Sequence, residues 1–323
     1  MASAGVAKTG TWVEVRPLEE ILATLDENGA LQALPFMPEM AQYAGRRFPI
    51  LKSAHKTCDP TGVTDLRRLP DAVHLPTRCH GGAHGDCEAN CLLFWKQDWL
   101  KRVDGPGKED APVSNPAPDL TLLQAATQAN NNAGEKRYRC QATQIVAATS
   151  VLPVSNLRQY FDDIASGNVP PVNFILEMFT AYGKSAIGKI GKIFGLKLGA
   201  ETFTGGARAN AVLEKLNLQP GERVRVRSAE DILATLDKDR KHAGLSIEIE
   251  MLRHCGKTYR VASRVRRIID ERNGKMIKFA NECIALEGVA CSGLDNRRRI
   301  FCPRGPLYYW REGWLQRVEG PVL

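Results

Sequence analysis

The chain has 323 residues, of which 43% are hydrophobic and 25% are charged. These values are those of a globular protein with a packed core, and the length is enough for about two or three domains. No stretch approaches a membrane span. The formal net charge of +8 allows contact with nucleic acid or an anionic membrane, but it is modest for this length and is better explained by a solvated basic surface.

The N-terminal segment MASAGVAKTG lacks the apolar core of a signal peptide. We therefore expect a cytoplasmic protein with a flexible N-terminus at residues 1–10. In the cytoplasm the nine cysteines stay reduced, and clustered reduced thiols indicate bound metal more than disulfides.

One module occurs twice in the chain, beginning at Trp12 and again at Arg223. The hexapeptide ILATLD is identical at residues 21–26 and 232–237, and the related segments FWKQDWLKRV and YWREGWLQRV close the two copies. A solenoid needs several stacked repeats, so two separated copies predict a duplicated domain.

Each copy opens with an alternating strand, at 13–16 and 224–227, whose valines share one face. A short helix follows, with an apolar face built from ILATLD. In the second copy Asn273-Gly274 predicts a hairpin, and about five short strands complete each module. One helix in a long first connection, then a meander and a short last strand, predicts an SH3-like barrel, although the periodicity alone also fits another small β-barrel.

The predicted fold class is mainly β with α insertions: two SH3-like small β-barrels, an internal duplication, joined by a helical segment. The run GPGKEDAPVSNPAPD, rich in proline and polar residues, marks a linker between the copies. The predicted domains are a first SH3-like repeat with a Cys/His-rich metal site at 11–104, a linker at 105–137, a helical connecting region at 138–219 and a second SH3-like repeat at 220–320.

Cysteine and histidine are concentrated in the first copy, in a glycine-broken loop (RCHGGAHGDCEANC, 78–91) and in the motif HKTC (55–58) before it. Thiolate and imidazole are the ligands that tetrahedral zinc prefers. The spacing differs from that of the usual paired knuckles, so packing in the core or exposure at the surface stays an alternative. The candidate metal ligands are Cys58, Cys79, Cys87, Cys91, His55 and His84.

The composition of the ligand set decides between a structural and a catalytic metal. Ligation by the thiolates alone would leave His55 and His84 outside the coordination sphere of a closed, structural zinc site. A mixed His and Cys set with an open position would instead allow a catalytic metal, with iron or copper as alternatives to zinc.

The second copy has its own cysteines, Cys255, Cys283, Cys291 and Cys302. No histidine lies near the last three, and packing in the core explains them at least as well as a metal does. The alignment of the two copies pairs Cys79 with Cys291, Cys87 with Cys302, Cys58 with Ile269 and Cys91 with Pro306.

Residues 181–199 (AYGKSAIGKIGKIFGLKLG) form a basic amphipathic pattern. Such a segment can make peripheral contact with an anionic membrane or a partner protein, and a helix packed on one of the barrels is the simpler alternative. Gly183-Lys184-Ser185 resembles the end of a phosphate-binding loop, but Met178 stands where its first glycine is required. Arginines cluster in the second copy, yet the exposed aromatic residues of a stacking platform are missing, which argues against nucleic acid as a partner.

The motifs EILATLD, HKTCD and RC-x4-HG-x-C-x3-CLLFWKQDWL, followed in the second copy by CIALEGVAC, FCPR and YWREGWLQRV, resemble those of a family of uncharacterised bacterial proteins with a duplicated Cys-rich SH3-like module. The resemblance covers both copies and implies the repeat. It implies no reaction.

Three hypotheses for the function follow. The first is a metal-binding, tandem-barrel accessory or binding protein, because the ligand-rich loop comes without an acid–base or cofactor motif. The alternative is a metalloenzyme with a Cys/His-ligated zinc, iron or copper centre in the first copy, which the surplus of histidines favours. The third is a basic adaptor for nucleic acid or an anionic membrane. The expected partner is an unknown protein or small molecule, and the sequence leaves open whether the protein is an enzyme.

Overall fold

The computed structural model of the protein describes residues 7–107, 119–130, 134–179, 206–209, 214–294 and 297–318. It contains mainly strands with some helices, so the predicted class, mainly β with α insertions, is confirmed at that level. No closed barrel occurs in the described ranges, and the two SH3-like barrels stay a prediction. The amphipathic segment predicted at 181–199 lies outside the described residues.

The chain forms two compact units that do not follow the order of the sequence. Unit 1 comprises Met1–Glu177, Arg267–Ile277 and Ser292–Gly305, and unit 2 comprises Met178–Arg266, Lys278–Cys291 and Pro306–Leu323. Two short segments of the second copy, 267–277 and 292–305, are therefore part of unit 1.

Unit 1 begins with the predicted strand and helix. In β1 (Trp12–Val15) alternate residues are buried, and Val13 and Val15 face the core. In α1 (Leu18–Leu22) two glutamates occupy the first turn, where negative charge suits the helix dipole. The further elements are β2 (Ala30–Leu31), β3 (Leu34–Pro35), β4 (Arg47–Pro49), β5 (Lys52–Ser53), β6 (Lys56–Cys58), β7 (Leu66–Arg68), β8 (Ala72–Arg78), β9 (Leu92–Lys96), β10 (Leu100–Arg102), α2 (Thr121–Ala126), β11 (Gln128–Asn130), β12 (Lys136–Tyr138), α3 (Gln141–Gln144), β13 (Ser150–Leu152) and α4 (Arg158–Ala165).

The strands of unit 1 form small antiparallel sheets around an aromatic core. The three-stranded sheets have the orders β10-β1-β4, β5-β8-β9 and β13-β7-β6. Phe36 packs edge-on against Trp95 and Trp99, with ring centroids 6.1 Å and 5.2 Å apart. Both tryptophans are fully buried.

Unit 2 is built on one larger sheet. Its elements are β14 (Arg223–Val226), α5 (Ala229–Ala234), β15 (Lys241–His242), β16 (Leu245–Ser246), β17 (Thr258–Ile269), β18 (Met276–Ala290), β19 (Leu307–Trp310) and β20 (Leu315–Arg317). The five-stranded sheet has the order β19-β18-β17-β14-β20. Asn273 and Gly274 lie in the turn between β17 and β18, and Gly274 has a positive φ of 72°.

The repeated hexapeptide ILATLD has the same hydrogen-bonding role in both copies. In the first copy Trp99 Nε1 donates to Thr24 Oγ1 over 3.2 Å. In the second, Trp314 Nε1 donates to Thr235 Oγ1 over 3.0 Å. A buried indole N–H needs an acceptor, so the threonine of the hexapeptide fixes the tryptophan near the end of each copy.

We expect Thr235→Val to lower the free energy of unfolding by about 1–3 kcal/mol, because it leaves the buried Trp314 N–H without its acceptor. Thr258→Val is the matched control, since Thr258 is exposed on β17 and valine suits a strand. Urea unfolding followed by tryptophan fluorescence measures both variants. Equal stability of the two variants would contradict the role given to the hexapeptide threonine.

Candidate functional site

Six of the nine cysteines lie in unit 1, and all of them are free thiols. They are Cys58, Cys79, Cys87, Cys91, Cys140 and Cys302. Four of these belong to the predicted metal site, whereas Cys140 and Cys302 come from outside it. Unit 1 therefore gathers thiols from three distant parts of the chain.

Cys58 and Cys302 form the first thiol pair. Cys58 ends β6, and Cys302 lies in the segment 292–305 of the second copy. The amide of Cys58 donates to Cys302 Sγ over 3.2 Å, and Cys302 is only 5% exposed. Gly293 holds this segment in its turn: its φ is 75°, and a Cβ there would lie 2.7 Å from the backbone nitrogen and oxygen of Cys302.

A buried arginine accompanies the first pair. Arg304 is 8% exposed, its Nη1 lies 3.6 Å from Cys58 Sγ, and its Nη2 lies 2.6 Å from Glu271 Oε1. The hydrogen bond from the Cys302 thiol and the charge of Arg304 together lower the pKa of Cys58. The same thiol–thiol hydrogen bond, with burial, raises the pKa of Cys302. Cys58 is therefore the more acidic thiol of the pair and Cys302 the less acidic one.

Cys79 and Cys91 form the second thiol pair. Cys79 directly follows β8 and Cys91 directly precedes β9, and these strands pair with Arg78 opposite Leu92. The Cys79 amide donates to the Cys91 carbonyl over 2.9 Å, and the Cys91 amide donates to Cys79 Sγ over 3.0 Å. A hydrogen bond from the Cys79 thiol lowers the pKa of Cys91, and it raises that of Cys79.

Cys87 and Cys140 lie near the second pair. Cys87 Sγ accepts the Ile269 amide over 3.4 Å. Cys140 directly precedes α3, and burial raises its pKa to about 12, with smaller contributions from Cys91 and Cys87. Burial likewise raises the pKa of Cys87, with a smaller contribution from Cys91. The four thiols thus interact electrostatically.

The glycines of the loop between β8 and β9 allow close approach of backbone and side chains. A Cβ at Gly81, whose φ is 41°, would lie 2.0 Å from the Cys87 carbonyl oxygen. One at Gly85, whose φ is 63°, would lie 2.2 Å from the Tyr138 hydroxyl. Any larger residue at either position would displace the loop that carries Cys87.

His84 faces a buried carboxylate instead of a thiol. Its Nε2 contacts the Arg139 carbonyl oxygen over 3.0 Å, and its Nδ1 lies 3.8 Å from Glu39 Oε2. Burial lowers the pKa of His84, which favours a neutral ring. A carbonyl only accepts, so Nε2 then carries the hydrogen and Nδ1 presents a lone pair toward Glu39. Neither carboxylate oxygen of Glu39 has a hydrogen-bond partner, although Glu39 is only 6% exposed.

In the second copy the carboxylate of the corresponding glutamate has a hydrogen-bond donor. Glu250 aligns with Glu39, and Tyr308 Oη donates to Glu250 Oε2 over 2.6 Å. The residue aligned with Tyr308 is Leu93, which offers no hydroxyl. The first copy therefore has no tyrosine at this position, and its glutamate faces His84 instead.

His55 lies in an ion-pair cluster and not with the thiolates. Its Nε2 is 3.2 Å from Asp163 Oδ1, and Lys56 Nζ is 2.6 Å from Asp163 Oδ2. Lys56 and Asp163 are fully buried. Lys56 Nζ also donates to the Ile300 carbonyl over 3.1 Å. His55 and Cys58, three residues apart, thus contact different groups.

No group of three or more His, Cys, Asp or Glu side chains arranged to hold a metal ion occurs within the described ranges. Of the predicted ligands, the structure pairs Cys79 with Cys91, places Cys87 at the Ile269 amide, pairs Cys58 with Cys302, and gives His55 and His84 carboxylate neighbours. The sequence prediction missed Cys140, Arg304 and Glu39 as members of this region.

Unit 1 also contains a cleft of about 210 Å³. Its lining includes Phe301 and Pro303, the two chain neighbours of Cys302, together with Lys52, Asn168 and Asn173. The cleft is large enough for a small polar molecule.

No protein-family model matches the chain. No curated protein and no solved structure matches it either. Among the described residues, no helix is both long and apolar enough to cross a membrane.

We expect Lys56→Met to lower the free energy of unfolding by about 3–5 kcal/mol, because it leaves the buried Asp163 carboxylate without its cation. The double variant Lys56→Met/Asp163→Asn should recover part of the loss, since it removes the unpaired charge as well. Lys101→Met is the control, at an exposed position on β10, with an expected change within about 0.5 kcal/mol. Urea titration compares the three, and a cost for Lys56→Met no larger than the control's would contradict the prediction.

Proposed function

We propose that the protein binds a zinc ion in unit 1 and that the thiolates of Cys79, Cys87, Cys91 and Cys140 hold it. The observation that carries this proposal is the pairing of Cys79 with Cys91 at the ends of β8 and β9, where the Cys91 amide donates to Cys79 Sγ over 3.0 Å. Cys87 lies in the loop between these strands, and Cys140, before α3, interacts electrostatically with Cys87 and Cys91. Free thiols pack in cores singly, whereas a group of neighbouring thiols is suited to zinc.

The chemistry of the donors fits zinc. Zinc prefers thiolates in a closed tetrahedral set, and it replaces the protons that burial holds on thiols such as Cys140. In the protonated state the thiols of Cys79 and Cys91 are hydrogen-bonded to each other. Zinc binding therefore requires the side chains of Cys87 and Cys140 to turn toward this pair as the thiols lose their protons. The glycines around Cys87 allow that movement of the loop.

Cys58 and the two predicted histidines lie outside the proposed coordination sphere. Arg304 beside Cys58 also interacts with Cys91, and its fixed positive charge disfavours a cation shared by the two thiol pairs. The imidazole of His55 is next to Asp163. The proposal therefore narrows the sequence-predicted ligand set and adds Cys140.

A structural zinc suits a binding or accessory role for the two copies. The matched bonds of the hexapeptide threonines and of the residues at Cys79 and Cys291, whose amides both donate over 2.9 Å to the aligned carbonyls, support one ancestral, SH3-like module in each copy. The cleft beside Phe301 and Pro303 offers a place for a small-molecule partner. An unknown protein is the alternative partner.

The second candidate function is a metalloenzyme, and the Glu39–His84 contact favours it. A lone pair on Nδ1 and a carboxylate with no hydrogen-bond partner face each other over 3.8 Å. Such a pair can share a proton with a bound molecule or supply mixed ligands to a zinc, iron or copper ion with an open position. Burial without a partner is costly for a carboxylate, which makes a purely packing role for Glu39 the weaker explanation.

We expect protein purified without added metal to contain about one zinc ion per chain, and Cys140→Ser to lose most of it. Elemental analysis measures the content, and cobalt substitution then reports the number of thiolate ligands from the intensity of the sulfur-to-cobalt charge-transfer band. Cys255→Ala is the matched control, because alanine is the residue that the first copy has at the aligned position, Ala44. It should retain the ion.

Glu39→Gln separates the two candidate functions. If the four thiolates hold the ion, the variant keeps its zinc content and its cobalt spectrum. Loss of metal in Glu39→Gln with retention in Cys140→Ser would place the ion in a mixed site and favour the metalloenzyme. Absence of zinc, iron and copper from the wild-type chain, together with no cobalt band on titration, would overturn both.

A further inference from the structure

We propose that Cys58 and Cys302 form a redox-active dithiol that a small hydroperoxide converts into an intramolecular disulfide. This site is separate from the proposed zinc site and carries a different chemistry. Its basis is the contact of two thiols that lie 244 positions apart in the chain, with the Cys58 amide 3.2 Å from Cys302 Sγ. The two thiols also interact through a hydrogen bond, so the side chains of Cys58 and Cys302 face each other.

The buried arginine supplies the electrostatics that such chemistry requires. A thiolate is the nucleophile, and a fixed cation beside it makes it available at neutral pH. Arg304 Nη1 lies 3.6 Å from Cys58 Sγ. Its other terminal nitrogen is held by Glu271 at 2.6 Å, so the guanidinium keeps one orientation. A guanidinium stays charged in proteins, and Cys58 is therefore the attacking sulfur and Cys302 the resolving one.

The two steps balance with hydrogen peroxide as the oxidant. The Cys58 thiolate attacks one peroxide oxygen, the O–O bond breaks, and the leaving hydroxide takes the proton of Cys302 to give water and a Cys58 sulfenic acid. The Cys302 thiolate then attacks the Cys58 sulfur, the S–O bond breaks, and the departing hydroxide takes a proton from solvent to give a second water. Two thiols lose two electrons, and one peroxide gains them. A dithiol reductant reverses the change.

Exposure of the two sulfurs fits this order of events. Cys58 is partly exposed, whereas Cys302 is buried, so a small oxidant reaches Cys58 first. Phe301 and Pro303, which flank Cys302, line an open cleft of about 210 Å³. Because Cys302 is only 5% exposed, a small hydroperoxide is favoured as the oxidant over a larger disulfide or a protein substrate.

Cys87 is an internal control for the reactivity of Cys302. Cys87 aligns with Cys302, and its Sγ accepts the amide of Ile269 over 3.4 Å, as Cys302 Sγ accepts the amide of Cys58. Ile269 stands where Cys58 stands in the other copy, so the amide-to-sulfur contact is matched but the second thiol is replaced by an isoleucine side chain. Cys87 should therefore not form the equivalent disulfide.

The test uses the reduced, full-length protein and limiting hydrogen peroxide. Remaining thiols are alkylated, the protein is digested without reduction, and cross-linked peptides are identified by mass spectrometry. We expect the peptide joining Cys58 to Cys302 to appear first, with one peroxide consumed per disulfide. A first disulfide between Cys79 and Cys91, or full recovery of alkylated Cys58, would overturn the proposal.

Variants separate the two roles. Cys302→Ser keeps a hydrogen-bond donor beside Cys58 and should accumulate the Cys58 sulfenic acid, which a 1,3-dione reagent traps. Arg304→Met should slow the peroxide step about tenfold, the equivalent of about 1.4 kcal/mol of lost thiolate stabilisation. Peroxide consumption by Cys302→Ser without a trapped Cys58 adduct would contradict the assignment of the attacking sulfur.

Zinc titration distinguishes a redox-active dithiol at Cys58 and Cys302 from a second metal site at the same residues. With zinc bound at one equivalent, Cys58 and Cys302 should remain open to peroxide and to alkylation. Protection of both by a second equivalent of zinc, and loss of that equivalent alone in Cys58→Ser, would make the pair a metal site and overturn the dithiol. Because the mapping is carried out on the wild-type chain, it decides the question even if Arg304→Met fails to fold.

Discussion

Unit 1 depends on two hydrogen bonds from backbone amides to cysteine sulfurs. The amide of Cys58 donates to Cys302 Sγ, and the amide of Ile269 donates to Cys87 Sγ. Cys58 aligns with Ile269 and Cys302 aligns with Cys87, so the two contacts are the same contact made twice in opposite directions. Each copy gives a strand end to one contact and a cysteine loop to the other. This exchange explains why unit 1 includes 267–277 and 292–305.

Because of this exchange, buried polar groups of the first copy have partners in the second copy. Lys56 donates a hydrogen bond to the Ile300 carbonyl, and Cys58 contacts Arg304. Both partners belong to the segment 292–305 of the second copy. A buried ion needs partners, and residues 300 and 304 of the second copy supply some of them, beside the Asp163 carboxylate that already pairs with Lys56.

The arginine of that segment also divides the thiols by role. A guanidinium next to Cys58 stabilises a thiolate but repels a metal cation. Cys87 and Cys140 instead have their pKa values raised by burial, and zinc binding there would release their protons. Charge beside one pair and burial around the other group thus favour different chemistry within one unit.

Much of this arrangement could be predicted from the sequence, and the rest depends on long-range topology. The alternating valines, the repeated hexapeptide and the paired tryptophans predicted strands and core because each signal is local. Cys79 and Cys91 were predicted together because they lie at the two ends of one loop. In the structure the ends of β8 and β9, which flank this loop, pair with each other.

His55 and Cys58 were also grouped by spacing, but His55 lies in a bend just before β6 and contacts Asp163, whereas Cys58 ends that strand and contacts Cys302. Lys56 and Cys58, two positions apart, share the face toward residues 300–302. That a second-copy segment would complete this face could not be predicted from the sequence pattern. No local signal marks Cys302 and Arg304 as neighbours of Cys58.

The difference between the copies indicates where the function resides. Glu250 keeps its tyrosine partner, and Cys255, Cys283 and Cys291 are spread through unit 2. In the first copy the aligned glutamate has lost the hydroxyl and faces His84 without a hydrogen bond. Unsatisfied or strained groups of this kind are concentrated at functional sites. The first copy, with its unpartnered carboxylate and four of the six thiols of unit 1, is therefore the part of the protein where we expect the chemistry, and the second copy supplies two segments that contact it.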